Sequence, residues 1–336
     1  MTHAIRFHEH GGPEVLRWEK VGAGDTASLA PAADEVRLRQ HAIGVNFIDI
    51  YQRSGLYPLP LPSGIGLEAA GVVESVGAAV IDFKPGDRVA YADGPLTPIG
   101  AYAEVRNIPA RYLVKLPDAI DFNTGAAMML RGLTAQYLLR RVHRVTAGDT
   151  ILIHAAAGGV GLIVCQWAKA LGATVIGTVS TAAKAALAQA HGCDHALILP
   201  QENLVARVKE ITQGQGVAVV YDSIGKDTFM ASLDCLRPLG MMACFGNSSG
   251  PPPPVDIREL AKRGSLFLTR PTLFTYIAQR SDLLAMADEL FAMVISGRVR
   301  IEANQTYALQ DAAQAHIDLA ARKTTGSTLL IPDIPD

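Results

Sequence analysis

A chain of 336 residues with a formal net charge of −2 is long enough to bury the cores of two domains. Its 49% of hydrophobic and 18% of charged residues are typical of a folded globular protein and exclude a disordered chain. The nearly neutral balance gives no electrostatic reason to expect nucleic acid or an anionic membrane as a partner.

The N-terminal segment and the cysteines predict a cytoplasmic protein. Residues 1–12, MTHAIRFHEHGG, lack the apolar core of a secretory signal. The most apolar long stretch, 154–173, contains His154, Gln166 and several glycines, so it is a poor membrane span. Four scattered cysteines without a Cys-x-x-Cys pair fit reduced thiols rather than disulfides.

The first 125 residues are predicted to be rich in β-strands. EVRLRQHAIGVN (35–46) alternates apolar and polar positions, as a half-buried strand does. AAGVVESVGAAV (69–80) and GDRVAYAD (86–93) are short β-like runs bounded by glycine, proline or aspartate.

After residue 125, apolar strands alternate with helices. Strands are expected at 150–157, 174–179, 195–200, 217–225 and 241–247. Helices are expected at 158–172, 181–192, 202–214 and 227–236. Unbroken apolar strands alternating with helices are typical of a parallel sheet covered on both faces, so a doubly wound α/β domain is predicted.

The C-terminal tail has a different pattern. It predicts a helix near 282–296, a strand near 299–307, a helix over 311–322 and a strand over 327–332. We expect this tail to pack back onto the N-terminal β domain.

HAAAGGVGLIVCQWAKALGA (154–173) resembles a dinucleotide-binding turn whose first glycine is replaced, giving Ala156-x-Gly158-x-x-Gly161. Gly158 would let the backbone approach a pyrophosphate, and Gly161 would let the helix pack closely on the strand. A small-residue turn that binds nothing is the alternative. We favour binding because the turn follows a buried strand and begins a βαβαβ series.

The end of the second predicted strand favours NADPH over NADH. NAD sites place an acidic residue there, whereas this chain has Ser180, Thr181 and Lys184. Two hydroxyls and a cation suit a 2′-phosphate, although Lys184 alone could be a solvated helix residue.

A polar loop follows the fifth predicted strand of this domain. Gly246, Asn247, Ser248 and Ser249 stand where strand ends of open α/β sheets bind ligands. The alternative is a solvated turn before the prolines at 251–254.

Six segments resemble the quinone oxidoreductase (zeta-crystallin-like) branch of the medium-chain dehydrogenase/reductase superfamily, over nearly the whole chain. They are FHEHGGPEVLRWE (7–19), AIGVNFIDIYQRSGLYP (42–58), GLEAAGVVESVG (66–77), the stretch 154–173, VVYDSIGKDTF (219–229) and CFGNSSG (244–250). The resemblance implies a GroES-like catalytic β domain over 1–126, a Rossmann NADPH-binding domain over 127–265 and a return segment over 266–336.

The resemblance also implies an enzyme without zinc. Zinc alcohol dehydrogenases of the superfamily use a cysteine near the first long strand and a Gly-His-Glu motif. This chain has Asn46 and Gly66-Leu67-Glu68 at those places, and its first cysteine is Cys165. Neither a catalytic nor a structural zinc site can therefore be built in the N-terminal half.

Candidate site residues follow from the motif matches. Asn46 and Tyr51 are the proposed catalytic residues. The other residues expected to contact the cofactor are Phe47, Ile48, Asp49, Thr134, Tyr137, Gly158, Gly159, Val160, Gly161, Ser180, Thr181, Lys184, Gly246, Asn247, Ser248, Ser249, Thr272, Leu273 and Arg322. One departure stands at Leu199-Pro200, where the family often has a tyrosine beside the adenosine phosphate.

The implied activity is NADPH-dependent reduction of quinones in an interdomain cleft, either with one-electron transfer to a semiquinone or with two-electron transfer. An alkenal or enone double-bond reductase is an alternative, as is a non-catalytic NADPH-binding structural or RNA-binding protein. The resemblance implies a homodimer formed through strands near 264–272.

Overall fold

The computed structural model describes residues 2–21, 30–199 and 201–333, and the chain divides there into two units. The first unit contains the chain up to Leu133, Arg280–Phe291 and the chain from Ile301 onward. The second unit contains Thr134–Gln279 and Ala292–Arg300. The domain boundaries expected from the sequence, after residues 126 and 265, stay a prediction.

The N-terminal part of the chain consists mainly of short strands. They are β1 His3–Phe7, β2 Arg17–Lys20, β3 Glu35–Val45, β4 Ser63–Gly64, β5 Glu68–Val76, β6 Arg88–Tyr91, β7 Val105–Pro109 and β8 Val114–Lys115. Its helices are α1 Phe47–Arg53 and α2 Phe122–Tyr137, with 3-10 turns at Pro13–Val15 and Ala110–Tyr112 and a π-helical segment at Leu138–Val142.

The middle of the chain alternates strands with helices. The strands are β9 Thr150–Ile153, β10 Thr174–Val179, β11 His195–Ile198, β12 Val217–Asp222, β13 Leu236–Cys244 and β14 Phe267–Thr269. The helices are α3 Gly159–Ala170, α4 Ala182–Ala190, α5 Leu204–Ile211, α6 Phe229–Asp234, α7 Arg258–Lys262 and α8 Leu273–Tyr276.

The C-terminal part contains two helices and two strands. These are α9 Arg280–Ile295, β15 Ala303–Ala308, α10 Ala312–Ala320 and β16 Ser327–Ile331, with a 3-10 turn at Leu309–Asp311.

Strand β3 organises the larger sheet of the first unit, whose order is β15-β16-β3-β5-β6-β8. It pairs antiparallel with β5 on one side, and on the other with β7 and with β16. Alternate β3 side chains such as Val36 and Leu38 are fully buried, as expected for a strand with one face on a core. The pairing of β16 with β3 confirms that the tail returns to the N-terminal β domain.

The second unit is built on a six-stranded parallel sheet of order β11-β10-β9-β12-β13-β14. When these strands are numbered 1 to 6 along the chain, their order across the sheet is 3-2-1-4-5-6, which is the doubly wound arrangement of dinucleotide-binding domains. Every residue of β12 is buried, because helices cover both faces of such a sheet. The predicted α/β class is confirmed.

Several predicted elements differ from the observed ones at their ends. The strand expected over 150–157 ends at Ile153, because Ala155 adopts a φ of +54° and turns the chain. The tail strand expected near 299 begins at Ala303. β11 ends at Ile198, and residue 200 of the strand expected over 195–200 lies outside the described residues.

Candidate active site

The turn between β9 and α3 shows why its residues are small. Ala155 takes the left-handed conformation (φ +54°), and Gly158 is the N-cap of α3 in an extended conformation. A Cβ on Gly161 would lie 2.3 Å from the Ala155 carbonyl oxygen, so only glycine fits at that position. The last glycine of the motif therefore serves close packing of the helix on the turn.

The replaced first glycine has a structural explanation on the neighbouring strand. Ala156 is fully buried, and its N–H donates to the Thr178 carbonyl at 3.0 Å. Opposite it stands Gly177 of β10, where a Cβ would lie 2.6 Å from the Ala156 Cβ. The missing side chain at 177 makes room for the methyl group at 156.

The beginning of α3 offers amide groups to an anion. The first helical hydrogen bond runs from the Leu162 N–H to the Gly158 carbonyl at 2.9 Å. The N–H groups of Gly159, Val160 and Gly161 precede that bond and have no acceptor within the helix. Gly159 and Val160 are half-buried, so this helix end can face a phosphate group.

The end of β10 presents hydroxyls and a lysine. Ser180 and Thr181 are exposed, and Lys184 is half-buried on the first turn of α4. Thr181 caps α4 by accepting a hydrogen bond from the Lys184 N–H at 3.2 Å. The cap fixes the direction in which this end of the strand leaves the sheet.

A buried network beneath the β9–α3 turn was not anticipated from the sequence. His154 Nδ1 lies 2.9 Å from Thr178 Oγ1, and its Nε2 lies 2.9 Å from Ser232 Oγ. Ser232 in turn donates to the fully buried Asp222 at 2.9 Å. Burial lowers the pKa of His154, so a neutral imidazole links β9, β10 and α6.

The polar loop after β13 is tied to the loop over 223–227. Ser248 N–H donates to the Ser223 carbonyl at 3.1 Å, and the Ser249 hydroxyl donates to the Ile224 carbonyl at 2.9 Å. A Cβ on Gly246 would lie 2.6 Å from the Ser223 carbonyl oxygen. Asn247 is half-buried between these residues, so the loop has a defined shape at the carboxyl end of the sheet.

In the first unit, the segment after β3 begins α1. Asn46 is the N-cap, and its N–H donates to Asp49 Oδ2 at 2.8 Å. Phe47 and Ile48 are half-buried on the first turn. Tyr51 is 9% exposed, and its ring centroid lies 5.9 Å from that of Phe47. Two aromatic rings and a polar N-cap therefore share one short helix.

Glu68 connects Asn46 to α2, a role that no motif indicated. Its carboxylate is fully buried and accepts hydrogen bonds from Asn46 Nδ2 at 2.7 Å and from the Leu130 N–H at 2.7 Å. Arg131 Nη1 lies 3.1 Å from the same carboxylate. Burial raises the pKa of Glu68, and the Arg131 charge opposes that rise.

The start of the second unit carries a pair of stacked aromatic rings. Tyr137 stacks on Tyr276 with ring centroids 4.6 Å apart and planes 3° from parallel. Thr134, one turn before Tyr137 on α2, is 6% exposed. Burial raises the pKa of Tyr137, which keeps its hydroxyl protonated.

The remaining sequence candidates lie at helix ends. Thr272 is exposed and is the N-cap of α8, and Leu273 is its first, buried residue. Arg322 is exposed after α10 and has a φ of +59°.

The structure thus brings most of the candidates together in two groups and leaves outside them Thr134, Tyr137, Thr272, Leu273 and Arg322. In the second unit, the β9–α3 turn, the end of β10 and the loop after β13 share the carboxyl edge of one parallel sheet, where dinucleotides bind. In the first unit, Asn46, Asp49 and Tyr51 share α1. Glu68 and His154 were missed because their partners are distant in sequence. Within the described residues, no three His, Cys, Asp or Glu side chains are grouped to hold a metal ion.

Two family models match the chain. Residues 32–118 match the alcohol dehydrogenase GroES-like domain, and residues 159–290 match the zinc-binding dehydrogenase family. The first match confirms the GroES-like domain that the sequence resemblance implied.

Relatives and solved structures match over the full length. The chain is 54% identical over 333 residues to a quinone oxidoreductase of Pseudomonas aeruginosa, covering 99% of this chain and 100% of the relative. It is 47% identical to a 2-haloacrylate reductase of a Burkholderia species, with 99% of each covered. The crystal structure of Escherichia coli quinone oxidoreductase complexed with NADPH has a TM-score of 0.94 at 50% identity, with 99% of this chain and 100% of that chain covered. Among the described residues, no helix is long and apolar enough to cross a membrane.

Proposed function

The chain belongs to the quinone oxidoreductase family of the medium-chain dehydrogenase/reductase superfamily, and we propose that it reduces quinones with NADPH. The observation that carries the proposal is the carboxyl edge of the second unit's sheet, where amide groups of α3 stand beside Ser180, Thr181 and Lys184. The NADPH complex of the Escherichia coli protein supports it.

The residues present fit an NADPH molecule. The pyrophosphate would lie on the N–H groups of Gly159, Val160 and Gly161, and the 2′-phosphate on Ser180, Thr181 and Lys184. The loop Gly246–Ser249 would support the nicotinamide half, together with Thr134, Tyr137, Thr272 and Leu273. Phe47, Ile48 and Arg322 are the first-unit contacts that we propose. Asp49, which the sequence suggested as a further contact, is fully buried, and we assign it to holding Asn46 instead. The bound cofactor supplies two electrons as a reductant.

The residues that we propose to bind the substrate belong to the first unit. Asn46 is held at both ends, by Asp49 at its N–H and by Glu68 at its side chain, so its amide is fixed before substrate arrives. Tyr51 offers a ring and a hydroxyl on the same helix. We assign Asn46 to hydrogen bonding of the quinone oxygen and Tyr51 to orientation of the quinone ring.

We also propose that the reaction proceeds without zinc. At the two places where zinc alcohol dehydrogenases have ligands, this chain has Asn46 and Leu67. The Glu68 carboxylate beside these places already accepts from Asn46 Nδ2 and pairs with Arg131. Dialysis against a strong chelator should leave the rate of NADPH oxidation unchanged, and a loss restored by zinc would contradict this proposal.

Rapid mixing of the purified protein and NADPH with a panel of quinones tests the function. We expect the protein to accelerate NADPH oxidation by at least one quinone of the panel, relative to the same mixture without protein. A semiquinone signal in electron paramagnetic resonance that precedes the accumulation of hydroquinone would indicate one-electron transfer, because hydroquinone and quinone also form semiquinone without the enzyme. Hydroquinone formed before any such signal would indicate two-electron transfer. If NADPH binds and no quinone accelerates its oxidation, the proposal is wrong.

A second candidate is the reduction of activated carbon–carbon double bonds. The 47% identity to the Burkholderia 2-haloacrylate reductase favours it. The same mixing experiment with enals, enones and 2-haloacrylates distinguishes the two, since a double-bond reductase would give higher kcat/KM with these than with quinones.

We propose a cytoplasmic homodimer that forms through β14. This strand is at the edge of the six-stranded sheet, and its Phe267 and Leu268 are 56% and 39% exposed. An exposed apolar edge strand is suited to pairing with a second copy. All four cysteines are free thiols, which supports a reducing compartment.

A further inference from the structure

Three buried side chains of the first unit form a hydrogen-bonded chain that ends at Asp49. Tyr102 Oη lies 2.8 Å from Asp49 Oδ2 and 3.0 Å from His316 Nε2. The three residues are 0%, 1% and 0% exposed. Asp49 is on α1 and His316 is on α10, two helices that pack against each other. This series of hydrogen bonds therefore connects α1, which carries the proposed substrate residues, to α10 in the C-terminal part of the sequence.

The directions of these hydrogen bonds follow from the protons available. Burial lowers the pKa of His316 to about 3, so its imidazole is neutral at physiological pH and carries one N–H. Tyr102 donates its single hydrogen to Asp49, and its oxygen then accepts from the Nε2–H of His316. His316 Nδ1 has no hydrogen-bond partner among the described residues, which leaves Tyr102 as the imidazole's one described partner.

Asp49 depends on this chain because one oxygen makes both of its hydrogen bonds. Oδ2 accepts from the Asn46 N–H at 2.8 Å and from Tyr102 at 2.8 Å. Within the described residues, Oδ1 has no partner. Loss of the Tyr102 hydroxyl would leave the Asp49 carboxylate with a single hydrogen bond, so it could rotate away from Asn46.

We propose that Tyr102 and His316 are positioning residues for substrate binding, acting on Asn46 through Asp49. The inference rests on the proposed function, since that function assigns Asn46 to the quinone oxygen. His316 orients the Tyr102 hydroxyl, Tyr102 holds the Asp49 carboxylate, and Asp49 fixes the backbone of Asn46 at the start of α1. The residues act before the chemical step and do not touch the substrate.

Burial, with smaller effects of hydrogen bonds and nearby charges, brings the pKa of Asp49 close to neutral pH. Burial raises the pKa of Asp49 to about 7, the hydrogen bonds from Asn46 and Tyr102 oppose the rise, and Glu68 adds to it while Arg131 opposes it. Arg53, on the same helix, interacts electrostatically with Tyr102, His316 and Glu14. The ionised Asp49 accepts the stronger hydrogen bonds, so the chain holds Asn46 best above neutral pH.

The test compares Tyr102→Phe with Tyr91→Phe. Tyr91 is an equally buried tyrosine of the first unit whose hydroxyl donates to Gln40, so its variant reproduces the loss of a buried hydroxyl elsewhere. We expect Tyr102→Phe to raise the quinone KM about tenfold, which corresponds to one weakened hydrogen bond. We expect the Kd for NADPH to stay within about twofold of wild type, and Tyr91→Phe to leave both constants unchanged.

Substitutions at His316 and a pH profile complete the test. His316→Gln keeps an N–H donor and should preserve the quinone KM, whereas His316→Leu should raise it as Tyr102→Phe does. The kcat/KM of wild type should fall below about pH 7, Tyr102→Phe should move this fall to higher pH, and Asp49→Asn should abolish it.

The outcomes separate this inference from the function on which it rests. If none of the quinones tested accelerates NADPH oxidation by the wild type, both the function and the positioning role are wrong. An active wild type whose quinone KM is unaffected by Tyr102→Phe, or equally raised by Tyr91→Phe, would overturn the positioning role and leave the function standing.

Discussion

The side-chain amide of Asn46 donates to the buried carboxylate of Glu68, with 2.7 Å between Nδ2 and Oε2. The same carboxylate pairs with Arg131 of α2 at 3.1 Å. Asn46 is thereby held against a buried ion pair rather than against solvent, which fixes its amide more firmly than a surface contact could.

Removing the charge of Glu68 should destabilise the protein. Glu68→Gln leaves the Arg131 guanidinium buried without its carboxylate, and breaking a buried pair in this way costs about 3–5 kcal/mol. Urea denaturation measures the change. Glu74→Gln is the control, because Glu74 pairs with Arg37 and Arg39 at the partly exposed face of the sheet and should cost less than about 1 kcal/mol. Equal losses of unfolding free energy in Glu68→Gln and Glu74→Gln would contradict the idea that burial makes the Glu68–Arg131 pair more important.

Lys184→Ala should weaken NADPH binding much more than NADH binding. The lost charge would have faced the 2′-phosphate, and one charge-assisted hydrogen bond contributes about 1.5–3 kcal/mol, or roughly 10- to 100-fold in Kd. Fluorescence titration with both cofactors measures the ratio. Lys209→Ala, an exposed lysine on α5, is the control and should change neither Kd. Parallel losses for both cofactors would argue against a 2′-phosphate site.

Two glycines of the β9–α3 turn should respond differently to alanine. At Gly161 the new methyl would meet the Ala155 carbonyl oxygen at 2.3 Å, so Gly161→Ala should lower the melting temperature and abolish cofactor binding. At Gly158 the nearest atom is at 3.1 Å and φ is −82°, so the fold should persist. Gly158→Ala should still raise the Kd for NADPH about tenfold or more, because the methyl would stand where we propose that the pyrophosphate approaches. Calorimetry measures the melting temperature of both variants, and titration measures their Kd for NADPH. Normal NADPH binding by Gly161→Ala would refute the packing argument.

Phe267→Lys should convert the proposed dimer into a monomer. A lysine on the edge strand β14 places like charges opposite each other when two copies pair. Light scattering after size-exclusion chromatography gives the mass. Ile81→Lys replaces a 92% exposed side chain of the first unit and should leave the mass unchanged. A wild type of monomer mass would rule out the proposed dimer.

The Asp49 carboxyl should make unfolding depend on pH in a defined direction. Burial raises its pKa from 3.8 to about 7, so the folded protein keeps a proton that the unfolded chain releases between about pH 4 and 7. The contribution of Asp49 to stability is therefore complete below about pH 4 and declines as pH rises to about 7, by up to about 1.4 kcal/mol per pH unit. Urea denaturation of wild type and Asp49→Asn over this range measures the difference. Identical pH slopes would show that Asp49 ionises normally.

The second unit was largely predictable because its signals are local. β10 matches the predicted strand 174–179 residue for residue, since a continuous apolar run between two turns defines it. The β9–α3 turn followed from the spacing of Gly158 and Gly161 in the sequence. The strain at Ala155 did not, because a left-handed alanine has no signature in composition or spacing.

The first unit was less predictable because its polar contacts join residues far apart in the chain. Glu68 and Arg131 are 63 residues apart, and Tyr102 and His316 are 214 apart. Buried charged and polar groups of this kind are satisfied only when the fold brings partners together. α1 was missed as a helix because its seven residues, Phe47–Arg53, are too few to show helical periodicity.

The pairing of β16 with β3 has a consequence for the order in which the protein is made. Residues Ile43–Val45, directly before Asn46, pair with Thr328–Leu330, which leave the ribosome almost 300 residues later. The second unit, whose chain is nearly continuous, can fold during synthesis. This part of β3 can pair with β5 early on one edge, whereas its other edge has to wait for β16. A nascent chain therefore carries one open edge of β3 beside the proposed substrate residues for most of translation, and a chaperone that covers this edge would favour correct folding.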